Sequence, residues 1–161
     1  MSKLIALYGL PGSGKTHHLK FYRENGYRVF DDFMNKSIND NRDFRFSRHF
    51  EDIVSTLRAF EPCIITEIRF CEDAFRRDVS RILAELVPRL SIQWHCFDCR
   101  TPAAVGFCRD NVLFRAETTG AGVEHALSEI DRFFPDYSVE EGAIIHNVVD
   151  ARIVILNDHD A

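Results

Sequence analysis

Gly9-Leu10-Pro11-Gly12-Ser13-Gly14-Lys15-Thr16 completes the pattern G-x-x-x-x-G-K-[ST]. Immediately before it stands Leu4-Ile5-Ala6-Leu7-Tyr8, the short apolar run of a buried strand. After it, residues 15 to about 25 alternate polar and apolar side chains in a way that suits a helix. Strand, glycine loop and helix in that order are the setting in which such a loop wraps phosphates. Gly9, Gly12 and Gly14 let the backbone turn its N–H groups inward, and Leu10, Pro11 and Ser13 complete the loop. The start of a helix adds partial positive charge at the same place. Lys15 can then reach the β- and γ-phosphates while the Thr16 hydroxyl ligates Mg²⁺. The expected ligand is a nucleoside triphosphate.

With 161 residues the chain reads as a single domain, residues 1–161, with room for one five-stranded sheet and its helices. A formal charge of −5 argues against a long nucleic acid as partner, because such binding rests on neutralising phosphates. No run of about 20 apolar residues occurs and the first apolar run opens a strand, so neither a membrane span nor a secretion signal is expected. Five cysteines without such a signal read as reduced thiols in a cytoplasm. Cys96 and Cys99 form a C-x-x-C, but no second ligand pair accompanies it, and alternation sends His95 and Cys96 to opposite faces of a strand. Buried thiols are the better reading.

The apolar runs Leu4–Tyr8, Tyr27–Phe30, Cys63–Ile68, Ile92–Phe97 and Ile153–Leu156 predict five strands. Between them, apolar stripes at helical spacing run from Phe46 to Phe60, from Phe75 to Leu86 before Pro88, and from Val123 to Phe134 before Pro135. Ala103 to Ala116 suits a further helix, with residues 117–122 as a loop, and Ala143–His146 is a short strand or the end of a turn. Strands alternating with helices predict an α/β fold with a parallel sheet.

In such sheets ligands sit beyond the carboxyl ends of the strands. The polar residues there are Asp31 and Asp32 after the second strand, Glu67 after the third and Asp98 after the fourth. Phosphoryl transfer asks for alignment and charge neutralisation. Asp31 or Asp32 can orient an acceptor hydroxyl and take its proton, and Glu67 suits a hydrated Mg²⁺. Arg109 and Arg115 are candidates for a lid over the γ-phosphate, although six residues apart they diverge by about 120° on a helix. Arg42, Arg45 and Arg48 suit the exposed face of a helix better than an acceptor pocket.

These residues resemble those of P-loop kinases, most closely the kinase domain of polynucleotide 5′-hydroxyl kinases. The resemblance rests on the loop at 9–16, on Tyr27-Arg28-Val29-Phe30-Asp31-Asp32-Phe33, on Ile64-Ile65-Thr66-Glu67-Ile68-Arg69-Phe70 and on Cys108-Arg109-Asp110-Asn111. It implies a three-layer α/β/α fold with strand order 2-3-1-4-5, a helical lid, and ATP with Mg²⁺. It favours Asp31 as the residue that activates the acceptor and Arg109 as the phosphate clamp, and it sets Glu67 where the family carries Asp. The family usually has an arginine three residues beyond the acceptor aspartate; this chain has Met34. The implied activity is transfer of the γ-phosphate of ATP to a hydroxyl or phosphate on a small metabolite, a nucleotide or a nucleic-acid end. The competing reading is an ATP-binding regulatory module with slow hydrolysis. The N-K-x-D sequence of GTP-reading proteins does not occur.

Overall fold

Five parallel strands in the order β2-β3-β1-β4-β5 form the centre of the molecule. The computed structural model describes residues 2–34, 43–119 and 122–151. The strands are β1 (Lys3–Tyr8), β2 (Arg28–Asp31), β3 (Cys63–Thr66), β4 (Ser91–Phe97) and β5 (Ile144–His146). The helices are α1 (Lys15–Glu24), α2 (Phe50–Arg58), α3 (Asp73–Leu86), α4 (Pro102–Thr119) and α5 (Val123–Phe133). β1 and β3 lie at the centre and are buried along nearly their whole length, which is why both read as continuous apolar runs.

The fifth strand is Ile144–His146, paired with His95–Phe97 of β4. The apolar run Ile153–Leu156, which predicts a strand, lies outside the described residues. α4 continues through Thr119, three residues beyond the expected stop at Ala116. The stripe beginning at Phe46 is divided. Phe44–Phe46 form a 3₁₀ turn whose entry Asp43 secures by accepting from the Arg45 N–H at 2.9 Å. Ser47 is extended, so α2 starts only at Phe50 and Phe46 is left exposed.

α3 buries Phe75, Val79, Ile82 and Leu83 on the expected face, and with them Arg76, which is 1% exposed. A buried guanidinium needs every donor answered. Arg76 donates to Glu140 Oε2 at 2.9 Å, to the Phe70 carbonyl at 2.5 Å and to Ser138 Oγ at 2.8 Å, and it lies over the Tyr8 ring. The Tyr8 hydroxyl donates to the Ser138 carbonyl and accepts from the Glu140 N–H. Arg76 and Tyr8 thus hold residues 138–140 against the end of β1, on the path that delivers the chain to β5.

Candidate phosphate and acceptor site

Two glycines shape the loop after β1. Gly12 has φ +78°, and a Cβ there would stand 2.3 Å from the Cys108 carbonyl oxygen of α4. Gly14 has φ +116° and packs against the Phe97 ring. No other residue type combines that backbone with so little space. α1 begins directly after Gly14, no side chain caps its N-terminus, and no acidic residue lies in its first turn. The cap residue therefore supplies no side-chain acceptor to the first-turn N–H groups. Lys15 Nζ donates to the carbonyls of Gly9 at 2.6 Å and Leu10 at 3.0 Å.

Beside the loop opens a cavity of about 510 Å³, lined by Gly12, Gly14, Lys15 and Thr16 on one side and by Asp31 and Asp32 on another. It is lined further by His17 and Leu19 of α1, by Ile68, by α4 (Asn111, Phe114, Arg115), by α5 (His125, Ala126, Glu129), and by Val149 and Ala151 beyond β5, among others. That volume is ordinary for a small-ligand cleft. An uncapped helix start, an ammonium and an exposed threonine hydroxyl converging on one cleft fit a Mg-nucleotide: Lys15 and the loop amides for the phosphates, Thr16 for the metal.

Asp31 continues the ladder opposite Thr66, and the Asp32 N–H donates to the Thr66 carbonyl at 3.1 Å. Asp32 has φ +48°, a left-handed conformation that aspartate tolerates better than most residues, and there the chain turns away from the sheet. Both residues line the cavity. Partial burial and the neighbouring Asp32 charge raise the Asp31 pKa, while Lys15 pulls it down.

Glu67 is 3% exposed and does not line the cavity. Its Oε2 accepts from the Met34 N–H at 3.1 Å, fastening the turn after β2 from behind. Burial pushes its pKa up to about 7, with the Asp32 charge adding to the rise and the Met34 hydrogen bond opposing it. An acid whose native pKa lies above the unfolded value costs stability as pH rises through that interval. Glu67→Gln is therefore expected to stabilise the protein by about 2 kcal/mol at pH 8, the gain shrinking toward zero near pH 4.5. Thermal unfolding of both proteins at the two pH values tests this, and equal stability at pH 8 would mean the carboxylate ionises without penalty.

The two lid arginines of α4 go separate ways, as their angular spacing requires. Arg115 lines the cavity. Arg109 pairs with Asp131 of α5 on the exposed side and does not line it. The residue that the family resemblance marks as a phosphate clamp thus joins α4 to α5 here. Arg100 is likewise turned onto Asp98, with both carboxylate oxygens engaged at 2.8 and 2.9 Å, and it holds that acid below the usual carboxylate range. Arg45 pairs with Asp43, neither Arg45 nor Arg48 lines the cavity, and Arg42 lies outside the described residues.

Asn111 carries no assigned role in the sequence reading, yet its whole amide is used. Nδ2 donates to the carbonyls of Gly12 at 2.9 Å and Val149 at 2.8 Å, and Oδ1 accepts from the Ala151 N–H at 2.8 Å. One side chain thereby ties the glycine-rich loop, α4 and the segment after β5 together. The signal was a polar residue three positions after Cys108 and six after Val105, on the buried stripe of α4.

A parallel sheet in the order 2-3-1-4-5, with a glycine-rich loop joining β1 to α1, is a fold shared with solved structures named as kinases. Two solved structures are similar over almost the whole chain. A fungal RNA kinase matches with a TM-score of 0.60 and 8% identity, covering 93% of this chain and 75% of its own. A gluconokinase from Sinorhizobium meliloti 1021 matches with a TM-score of 0.56 and 13% identity, covering 98% and 88%. At such identities the likeness is one of fold. No protein-family model and no curated protein sequence matches the chain. Among the described residues no helix is long and apolar enough to cross a membrane.

Proposed function

We propose that this protein is an ATP-dependent phosphotransferase that moves the γ-phosphate of Mg-ATP to a small acceptor. The observation that carries the reading is one cavity shared by Lys15 and Thr16 of the phosphate loop, Asp31 at the end of β2 and Arg115 of the lid. A triphosphate-binding regulator needs the first pair only. A cavity walled by a carboxylate beside the phosphate loop suits an acceptor hydroxyl, and two structures of the same fold are named as kinases.

In this reading the loop amides and Lys15 hold the β- and γ-phosphates, and Thr16 holds the metal. Mg²⁺, when bound, neutralises charge on the transferring group. Asp31 orients the acceptor hydroxyl and receives its proton as the new P–O bond forms and the bond to the β-phosphate oxygen breaks. Arg115 meets the charge that grows on the equatorial oxygens. Arg109, tied to Asp131, sets the angle between α4 and α5 instead. Glu67 keeps the Asp31–Met34 turn in register through the Met34 N–H.

ADP release by the purified protein with Mg-ATP, measured against nucleosides, nucleotides, oligonucleotide ends and sugars, tests the proposal. At least one acceptor should raise the rate clearly above the acceptor-free rate, and a panel that raises it nowhere would overturn the reading. Within it, Arg115→Ala should lower kcat about 10²-fold or more with little change in ATP affinity, while Arg109→Ala costs only the small contribution of an exposed ion pair. The reverse ranking would return the clamp to Arg109.

A further inference from the structure

We propose that His95 and His146 form an acid-sensitive latch: when both rings are charged, the edge strand β5 leaves β4 and carries the cavity wall at Val149 and Ala151 with it. The latch acts in the protein without nucleotide, independently of phosphotransfer.

Alternation along β4 turns Trp94 and Cys96 to one face of the sheet and His95 and Phe97 to the other, where α1 packs. The parallel register sets His146 opposite Phe97, two positions beyond His95 and on the same face. His95 Nδ1 and His146 Nε2 lie 3.0 Å apart. From α1, the His18 ring meets His146 edge-on at 4.3 Å and Tyr22 stands against His95. From β1, Lys3 adds a positive charge that acts on His95. Asp98, whose N–H donates to the His146 carbonyl, gives its carboxylate to Arg100. Among the described residues no carboxylate pairs with either ring of the latch.

One N–H between the two rings satisfies the pair while either of them is neutral. A second proton sets N–H against N–H at that distance, with two positive charges side by side. His95 is 6% exposed, and its Nε2 is buried with no hydrogen-bond partner among the described residues. A charged His95 therefore buries an unanswered N–H as well. Burial lowers the His95 pKa to about 4, and the His146, His18 and Lys3 charges add to the fall. Burial lowers the His146 pKa too. A histidine held below its free value of about 6.5 binds its proton more readily once released. The latch is therefore complete above about pH 6.5 and weakens as pH falls toward about 4.

Beyond its ladder on β4, little else holds β5. It is three residues long, and Ile144 and Ile145 are exposed. A few residues later the Val149 carbonyl and the Ala151 N–H meet the Asn111 amide at the cavity, so this wall moves with the strand.

Amide hydrogen exchange of the nucleotide-free protein at about pH 7.5 and about pH 4.5, corrected for intrinsic rates, tests the latch. Protection of residues 144–151 should fall about 30-fold or more on acidification and lie below that of β1 and β3 at the lower pH. In the double variant His95→Asn/His146→Gln, the amides stand where Nδ1 and Nε2 stood and carry no charge. There the fall should shrink to within about threefold. Equal protection of β5, β1 and β3 at the lower pH, or an equal fall in the double variant, overturns the latch. NMR titration of the wild-type ring protons needs no variant. His95 should stay uncharged until well below pH 6.5, and a ring that titrates at about 6.5 or above overturns the latch even where the double variant does not fold.

Discussion

Lys15→Ala is expected to lower ATP turnover by about 10³-fold or more while the protein keeps its fold and nearly its full stability. Lys15 is an ammonium at the start of α1 whose hydrogen bonds go to the carbonyls of Gly9 and Leu10 in its own loop. Neither bond joins distant parts of the chain. Truncation leaves two carbonyls at the edge of a cavity that water enters, so the stability loss should stay near 1 kcal/mol. In the proposed reaction the catalytic loss is large because the ammonium meets charge that the triphosphate brings and that redistributes toward the β–γ bridge as it breaks. Thermal unfolding and steady-state ADP release on the same preparation separate the two effects. Turnover within tenfold of the wild type would show that Lys15 does not reach the phosphates.

Asp31→Asn should lower kcat by about 10²–10⁴-fold, with ATP affinity close to unchanged. The amide keeps the shape and one acceptor oxygen but cannot take the hydroxyl proton. The pH profile gives an independent check. A base must be ionised, and the Asp31 pKa is raised by partial burial and by Asp32, so wild-type activity should fall on acidification at a pH above the ordinary carboxylate range. Asp32→Asn removes one of the causes of that rise, so its acid limb should move to lower pH while much of the rate survives. If Asp32→Asn abolishes turnover and Asp31→Asn does not, the roles of the two carboxylates are exchanged.

The elements legible in the sequence are those specified by local rules. A buried parallel strand has no exposed face, so β1 and β3 read as unbroken apolar runs whose bounds lie within a residue or two of the observed strands. α3 and α5 read from spacing because each presents one stripe to the core. The edge strand β5 did not: Ile144 and Ile145 are exposed, so little in their pattern separates three paired residues from a turn. Phe46 continues the stripe of α2 in sequence but not in space, because Asp43 caps a separate turn and Ser47 breaks the path.

Candidate site residues divide along the same line. The loop from Gly9 to Thr16 depends on neighbours in sequence, and its positions follow from the pattern alone. Arg109 and Arg115 occupy different sides of one helix, and Asp131, the partner of Arg109, lies on α5. The same holds for Arg76, a charged residue in an apolar stripe made tolerable by Glu140, 64 positions away, and for Asn111, whose partners are Gly12, Val149 and Ala151.

From the order of its residues alone, this chain declares an α/β fold and a glycine-rich loop between its first strand and first helix, because strand periodicity and glycine stereochemistry act over a few residues. Which arginine lines the cavity, and that Glu67 backs the turn after β2 while Glu129 of α5 lines the cavity, depended on packing. Those choices are made where side chains from distant segments compete for the same buried volume and the same hydrogen bonds, and no local pattern records the outcome.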